Sequence, residues 1–276
     1  MARTKRVFFD TNIFNQIADR SDTTGVIERL KQAETRGEVE LVTGVHVLEE
    51  LLATPKLAKR QRLAECVLSL NAGKFTKSWN QLIREEMRAC LRGQAFSDIF
   101  VEQNKQKTYC EVLKSVGRGC LSEKCVQLRE EMKKDKKAVL GKQESLYQRD
   151  RNLISNLQYS TFDEFYEHVW RNAVLDQVRK LLQRDRLGRY ELDESVTAVA
   201  SKSDELVHLR ASLRAVPALA WSEAKGWTPK WGDRVDLRHL VCAATSEVFV
   251  STDEKLKKIF GLADPEKSVL TLEQLI

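Results

Sequence analysis

The sequence predicts an α/β fold: a central parallel sheet flanked by helices, interrupted by a large all-α insertion. Three observations predict it. Short apolar runs near both ends of the chain alternate with helical periodicity, as in a parallel sheet covered by helices. Strand-like runs disappear between about Pro55 and Pro229. The flanks, residues 1–74 and 231–276, together make about 120 residues, the size of an ordinary α/β domain, with 75–230 set into it.

The first element is KRVFF (5–9), a buried strand that ends at Asp10, and TNIFNQIADR continues it as a helix. From Thr23 to Thr35, Val26, Ile27, Leu30 and Ala33 recur at helical spacing, and Gly37 supplies a stop. ELVTG (40–44) is the second strand, and Val47, Leu48, Leu51 and Leu52 stripe the helix after it. The middle of the chain reads as amphipathic helices at 58–70, 79–92, 98–116, 121–138, 163–184 and 192–214. Gly117, Gly119, Gly141 and Gly188 punctuate them. In the fifth, Phe162, Phe165, Tyr166, Val169, Trp170, Ala173, Val174 and Val178 form a core-facing stripe. Alternation then resumes: a helix over 235–246, a strand over 247–252, the short helix DEKLKKIFG, and a closing edge strand and turn in SVLTLEQLI.

Composition narrows the function classes. With 42% hydrophobic residues, 31% charged residues, 12 Gly and 4 Pro, the 276-residue chain is neither collagen-like nor wholly disordered. No apolar run is long enough for a membrane span, and the basic start runs straight into a strand rather than a signal-type block. The six cysteines form no CxxC pair, and Cys110, Cys120 and Cys125 lack a nearby His, so reduced thiols in the cytoplasm are expected rather than disulfides or zinc. The net charge of +6 is carried by the middle of the chain, which holds 28 basic and 22 acidic residues over 76–230. Residues 105–142, with the run Lys133, Lys134, Lys136 and Lys137, and residues 171–189 are its basic stretches. Such clusters suit nucleic-acid phosphates, although interleaved Glu130, Glu131 and Asp135 also fit a solvated helix face.

Four acids stand at equivalent places. Asp10 ends the first strand, Glu50 lies early in the helix after the second, Asp236 opens the late helix, and Asp253 follows the late strand. Ligands of open parallel sheets bind beyond the carboxyl ends of the strands, so these acids are expected to converge on one crevice. Carboxylates held that close repel unless a cation neutralises them or their pKa values rise. Oxygen donors without paired His or Cys favour Mg²⁺ or Mn²⁺. Each acid also has a simpler reading: Asp10, Asp236 and Asp253 can each cap a helix, Asp233 competes with Asp236, and Glu49 competes with Glu50. Capping does not explain an acid at every expected sheet end.

The ordered pieces VFFDTNIF (7–14), VHVLEELL (45–52), DLRHLVCAA (236–244), VFVSTDEKL (248–256) and SVLTLEQL (268–275) resemble the PIN-domain nucleases. The resemblance covers nearly all of both flanks, about 45% of the chain, and none of the insertion. It implies helices around a parallel sheet and an acidic pocket that holds Mg²⁺ or Mn²⁺ and hydrolyses RNA phosphodiesters. On it, Asp10, Glu50, Asp236 and Asp253 are the metal-holding and catalytic acids, Asn12 is the polar residue of the DTN start, and Ser251 stands where the family usually has Thr. His46, His168, His208 and His239 are not required, and His239 is expected to be structural. Trp221, Trp227 and Trp231, near Lys225 and Lys230, are expected to pack in the core, with base stacking as the alternative.

Two other acid-pocket classes fit less well: a haloacid-dehalogenase phosphatase needs an acid where Asn12 stands, and a receiver domain needs a second acid beside Asp10. A non-catalytic nucleic-acid or protein-binding module on the same fold is the competing function. The sequence leaves open the RNA target, a neutralising or complex partner protein, and homo-oligomerisation.

Overall fold

A computed structural model describes residues 4–71, 74–120, 123, 126, 130, 159–184, 192–227 and 231–276, the side chains of 71, 169–173, 184, 192 and 231–236 excepted. The chain opens with β1 (Lys5–Phe9), α1 (Thr11–Ala18), α2 (Thr23–Thr35), β2 (Val39–Gly44), α3 (His46–Ala53) and α4 (Leu57–Asn71). It continues with β3 (Phe75–Thr76), α5 (Trp79–Leu91) and α6 (Gln103–Gly117). Next come α7 (Phe162–Phe165), a π-helical turn (Tyr166–Trp170), α8 (Arg171–Arg184), α9 (Leu192–Ala200) and α10 (Val207–Ala224). It closes with α11 (Trp231–Ala243), β4 (Val248–Val250), α12 (Glu254–Ala263), β5 (Ser268–Leu270) and α13 (Leu272–Leu275).

The five strands form one parallel sheet in the order β3-β2-β1-β4-β5. Strand alternation sorts the apolar side chains onto two faces. Val7, Phe9, Leu41, Val248 and Val250 face a core made with Ile13, Leu30, Leu51, Val67 and Leu113 of α1, α2, α3, α4 and α6. Phe8, Val42 and Phe249 face a second core made with Leu82, Phe165, Leu219, Leu240 and Ile259 of α5, α7, α10, α11 and α12. A third cluster, with Ile83, Met87, Val178, Val196, Leu209 and Val241, joins α5, α8, α9, α10 and α11. The sheet is therefore the middle layer of three, as burial on both faces of a parallel sheet requires.

The all-helical reading of 75–230 needs correction at its start. Phe75 and Thr76 pair with Thr43 and Gly44 as β3. The helix expected from residue 98 begins at Gln103 instead. Residues 99–101 run alongside β3, with Lys77 N donating to Ile99 O and Val101 N to Phe75 O. Phe75 and Thr76 are fully buried, so two residues suffice to extend the sheet. The segment expected as one helix over 192–214 is two, α9 and α10, with turns at 201–205 between them. Of the expected stripe, Phe162, Phe165, Tyr166 and Val178 are buried; Val169, Trp170 and Ala173 lie outside the described side chains. Of the expected helix over 121–138, residues 123, 126 and 130 are described and are helical; the rest of it, the Lys133–Lys137 run, and the breaks at Gly141 and Gly188 lie outside the described residues.

Candidate active site at the carboxyl edge of the sheet

In the order 3-2-1-4-5 the chain leaves β1 toward β2 on one side and later returns to β4 on the other. The crevice where the order reverses is the customary ligand position of an open α/β sheet, and here it lies between the carboxyl ends of β1 and β4. Asp10 stands in it. Its N–H donates to Val250 O at 3.1 Å, and the Thr43 hydroxyl donates to Phe9 O at 3.1 Å, so the end of β1 is held from both neighbours.

Asp10 occupies the N-cap position of α1, yet its side chain makes no cap bond. It is 2% exposed, and its Oδ2 accepts from Ser251 Oγ at 2.8 Å and Asn12 Nδ2 at 3.2 Å. Ser251 Oγ in turn accepts from Asp253 N at 3.0 Å, so the hydroxyl is held between this N–H and the Asp10 carboxylate to which it donates. The other oxygen, Oδ1, lies 3.7 Å from His239 Nδ1. Burial raises the Asp10 pKa, as does nearby Glu50, while His239, Ser251 and Asn12 work in the opposite sense; the net effect is upward.

Asp253 shows the contrasting outcome. Its Oδ1 accepts from Lys255 N at 2.9 Å and Leu256 N at 3.1 Å, the side-chain cap of α12. One capping reading therefore applies to Asp253, and the same reading fails for Asp10.

Of the Glu49–Glu50 pair, Glu50 faces the crevice. Its Oε1 accepts from His239 Nε2 at 3.0 Å, whereas Glu49 is 44% exposed at its side chain and lies 4.0 Å from Arg238. Burial pushes the Glu50 pKa up, but His239, Thr11 and Arg238 more than offset it and the net shift is downward. His239 thus touches both acids, one from each ring nitrogen. Asp236 stands three residues before it on α11; the side chains of Asp236 and Asp233 lie outside the described residues.

His239 is itself backed by His46. The rings are perpendicular, with centroids 3.9 Å apart, and His46 Nε2 lies 2.6 Å from His239 Nδ1, so one nitrogen donates and the other accepts. His46 stacks on Phe8, and its Nδ1 lies 3.8 Å from Cys242 Sγ. Full burial, with His239 and Arg238 adding to it, drives the His46 pKa well below its ordinary value and keeps the ring neutral. Sequence reasoning set both histidines aside. The available signal was their placement: His46 two residues beyond strand β2, His239 one helical turn beyond Asp236.

Among the described residues, no three His, Cys, Asp or Glu side chains are grouped so as to hold a metal ion. The chemistry of the donors nevertheless suits a hard divalent cation. Asp10 and Glu50 are oxygen donors from separate elements, their mutual repulsion contributes to the raised Asp10 pKa, and a cation beside Asp10 Oδ1 would relieve both effects.

No protein-family model matches this chain, nor does any curated protein or solved structure. Among the described residues, no helix is long and apolar enough to cross a membrane.

Proposed function

We propose that this chain is a divalent-metal-dependent endoribonuclease, hydrolysing RNA phosphodiester bonds on a PIN-like fold with Asp10, Glu50 and Asp236 as its metal-holding acids. One observation carries the reading. The Asp10 carboxylate is buried at the switch point of the sheet and does no capping work, while Asn12 and Ser251 orient it through one oxygen. A buried carboxylate is costly to keep, and in this reading its place is maintained for chemistry.

Bound Mg²⁺ or Mn²⁺ would polarise a phosphoryl oxygen, lower the pKa of an attacking water and stabilise the leaving oxygen. The chain's own groups set the stage for it. Asn12 and Ser251 fix the rotation of Asp10; Asp253, through its N–H, fixes Ser251. Asp253 therefore enters as a positioning residue rather than as a fourth ligand. His239 holds Glu50 and separates it from Asp10. The basic stretches of the helical segment supply cations for the RNA backbone.

A second reading, a non-catalytic binding module, is favoured by the same histidine, because His239 already bridges the two acids. Cleavage of single-stranded and folded RNAs, followed with Mn²⁺, Mg²⁺ or EDTA, separates the readings. Metal-dependent cleavage is expected, reduced to background by Asp10→Asn or Asp236→Asn, with unchanged circular dichroism. Intact RNA under all metal conditions, or full activity in both variants, would refute the nuclease.

A further inference from the structure

A cleft of about 280 Å³ lies between the end of α10 and the second half of α12, lined by Trp221, Ser222, Lys225, Trp227, Lys258 and Leu262. That is close to the lower bound for small-ligand sites, roughly 300 Å³. Its two indoles do different things. Trp221 is buried and packs on Phe165 with centroids 5.3 Å apart, the core role expected of it. Trp227 is half-buried, set at the cleft by the turn at Gly226, whose φ of +99° is the left-handed conformation that closes α10. Lysines surround both rings. The Lys225 ammonium lies 4.6 Å from the Trp221 ring centroid, and those of Lys258 and Lys255 lie 5.2 and 5.8 Å from that of Trp227. Among the described residues, no carboxylate lines the cleft. An apolar, aromatic floor with a cationic rim complements a ligand that is flat, aromatic and anionic, which describes a nucleotide.

Position links the cleft to the acidic crevice. Lys255 and Lys258 follow Asp253 by two and five residues on α12, and Trp227 precedes the helix that carries Asp236 and His239. Lys258 thus stands little more than one helical turn from Asp253, and the cleft runs along α12 away from the edge that carries Asp10. We infer that it is a nucleotide subsite, in which one base of a single-stranded RNA stacks on Trp227 while Lys225 and Lys258 take the adjoining phosphates. The inference rests on the nuclease reading and specifies its substrate as single-stranded where it crosses α12. On binding, the exposed ammonium of Lys258 would exchange an indole face for a phosphate, a stronger partner.

The test is fluorescence anisotropy of a labelled single-stranded oligoadenylate with the full chain in EDTA, so that binding is read without cleavage. Trp227→Ala is expected to weaken binding roughly tenfold or more, and Trp227→Phe to restore most of it. An abasic strand of the same length should bind the parent and Trp227→Ala equally. Should Trp227→Ala misfold, Lys225→Glu with Lys258→Glu decides, since both positions are exposed; a loss of binding supports the subsite. Parent-like binding by that double variant, parent-like binding by a folded Trp227→Ala, or no binding by the parent overturns it. The outcomes separate from those of the nuclease reading. Trp227-dependent binding without cleavage by metal-loaded protein would sink the nuclease and keep the subsite. Metal-dependent cleavage with Trp227-independent binding would do the reverse.

Discussion

At the scale of single residues, the acidic crevice depends on a position that carries no side chain. A Cβ built on Gly44 would lie 2.0 Å from His46 Cε1 and 2.5 Å from its Nδ1, far inside van der Waals contact. The ring cannot retreat, because Phe8 stacks on it and His239 meets it edge-on. Gly44→Ala is therefore expected to cost about 1–3 kcal/mol by overpacking, measured by urea unfolding, and to lower RNA cleavage by displacing His239 from Glu50. Unchanged stability would mean that His46 has room the packing does not show. Part of this site was legible in the sequence: Asp10 and Glu50 come together, and Asn12 and Ser251, singled out by the motif order, are the residues that hydrogen-bond Asp10. His46 and His239 were not, because a helical histidine beside an apolar stripe reads the same whether it fills a core or bridges two carboxylates. Capping could not be assigned either, since an Asp ahead of a helix looks alike at Asp10 and Asp253 until the side-chain bonds are seen.

At the scale of elements, the start of α10 is secured by a partner distant in sequence. Leu206, the N-cap of α10, offers no side-chain cap. Glu86 of α5 replaces it: its two carboxylate oxygens accept from His208 N at 3.1 Å and Leu209 N at 2.8 Å. Burial raises the Glu86 pKa, and these backbone donors only partly counter it. Removing the carboxylate leaves buried N–H groups without an acceptor, so Glu86→Ala is expected to destabilise the fold by about 2–4 kcal/mol. Glu86→Gln, which keeps one acceptor oxygen, should lose less. Equal midpoints for Glu86→Ala and the parent in urea would show that α10 starts without this cap. Neither this cap nor β3 could be read from the chain. Glu86 looks like one more charge on an amphipathic helix, and two residues are too few to show a strand's period. Long elements fared better: α2 spans Thr23–Thr35, as its apolar spacing predicts.

At the scale of the whole molecule, the helical segment supplies part of the layers on both faces of the sheet: Leu113 of α6 packs in one core with Val7 and Phe9. Leu82, Phe165 and Leu219 share a core with Phe8 and Phe249. Periodicity shows which face of a helix is apolar, not which surface covers it, so this integration had to come from the fold. Its most exacting joint is His208, which is 0% exposed where α10 meets α11. Its Nδ1 lies 2.8 Å from Val241 O, and since a carbonyl only accepts, Nδ1 carries the proton. Nε2 is buried and has no hydrogen-bond partner among the described residues, so a second proton there would be a desolvated charge without an acceptor. Burial accordingly lowers the His208 pKa to about 4, with Lys267 adding to the effect and the Val241 carbonyl opposing it. In the unfolded chain the ring titrates at its ordinary value of 6.5. Between these values the unfolded state binds more protons, so this group's contribution is fully present above pH 6.5 and is lost as the pH falls toward 4. The shift corresponds to about 3 kcal/mol. The buried carboxyls of Glu86 and Asp10, whose pKa values are raised, have the opposite dependence, so the comparison must be between variants rather than between pH values alone. His208→Phe removes the titration at similar volume and loses the shorter of the two bonds to Val241 O, which keeps only its 3.3 Å bond from Ala244 N. It should be less stable than the parent at pH 7, and the gap should shrink or reverse by pH 4.5. Parallel stability profiles for parent and variant across that range, in urea titrations at matched ionic strength, would show that His208 does not couple proton uptake to the packing of α10 on α11.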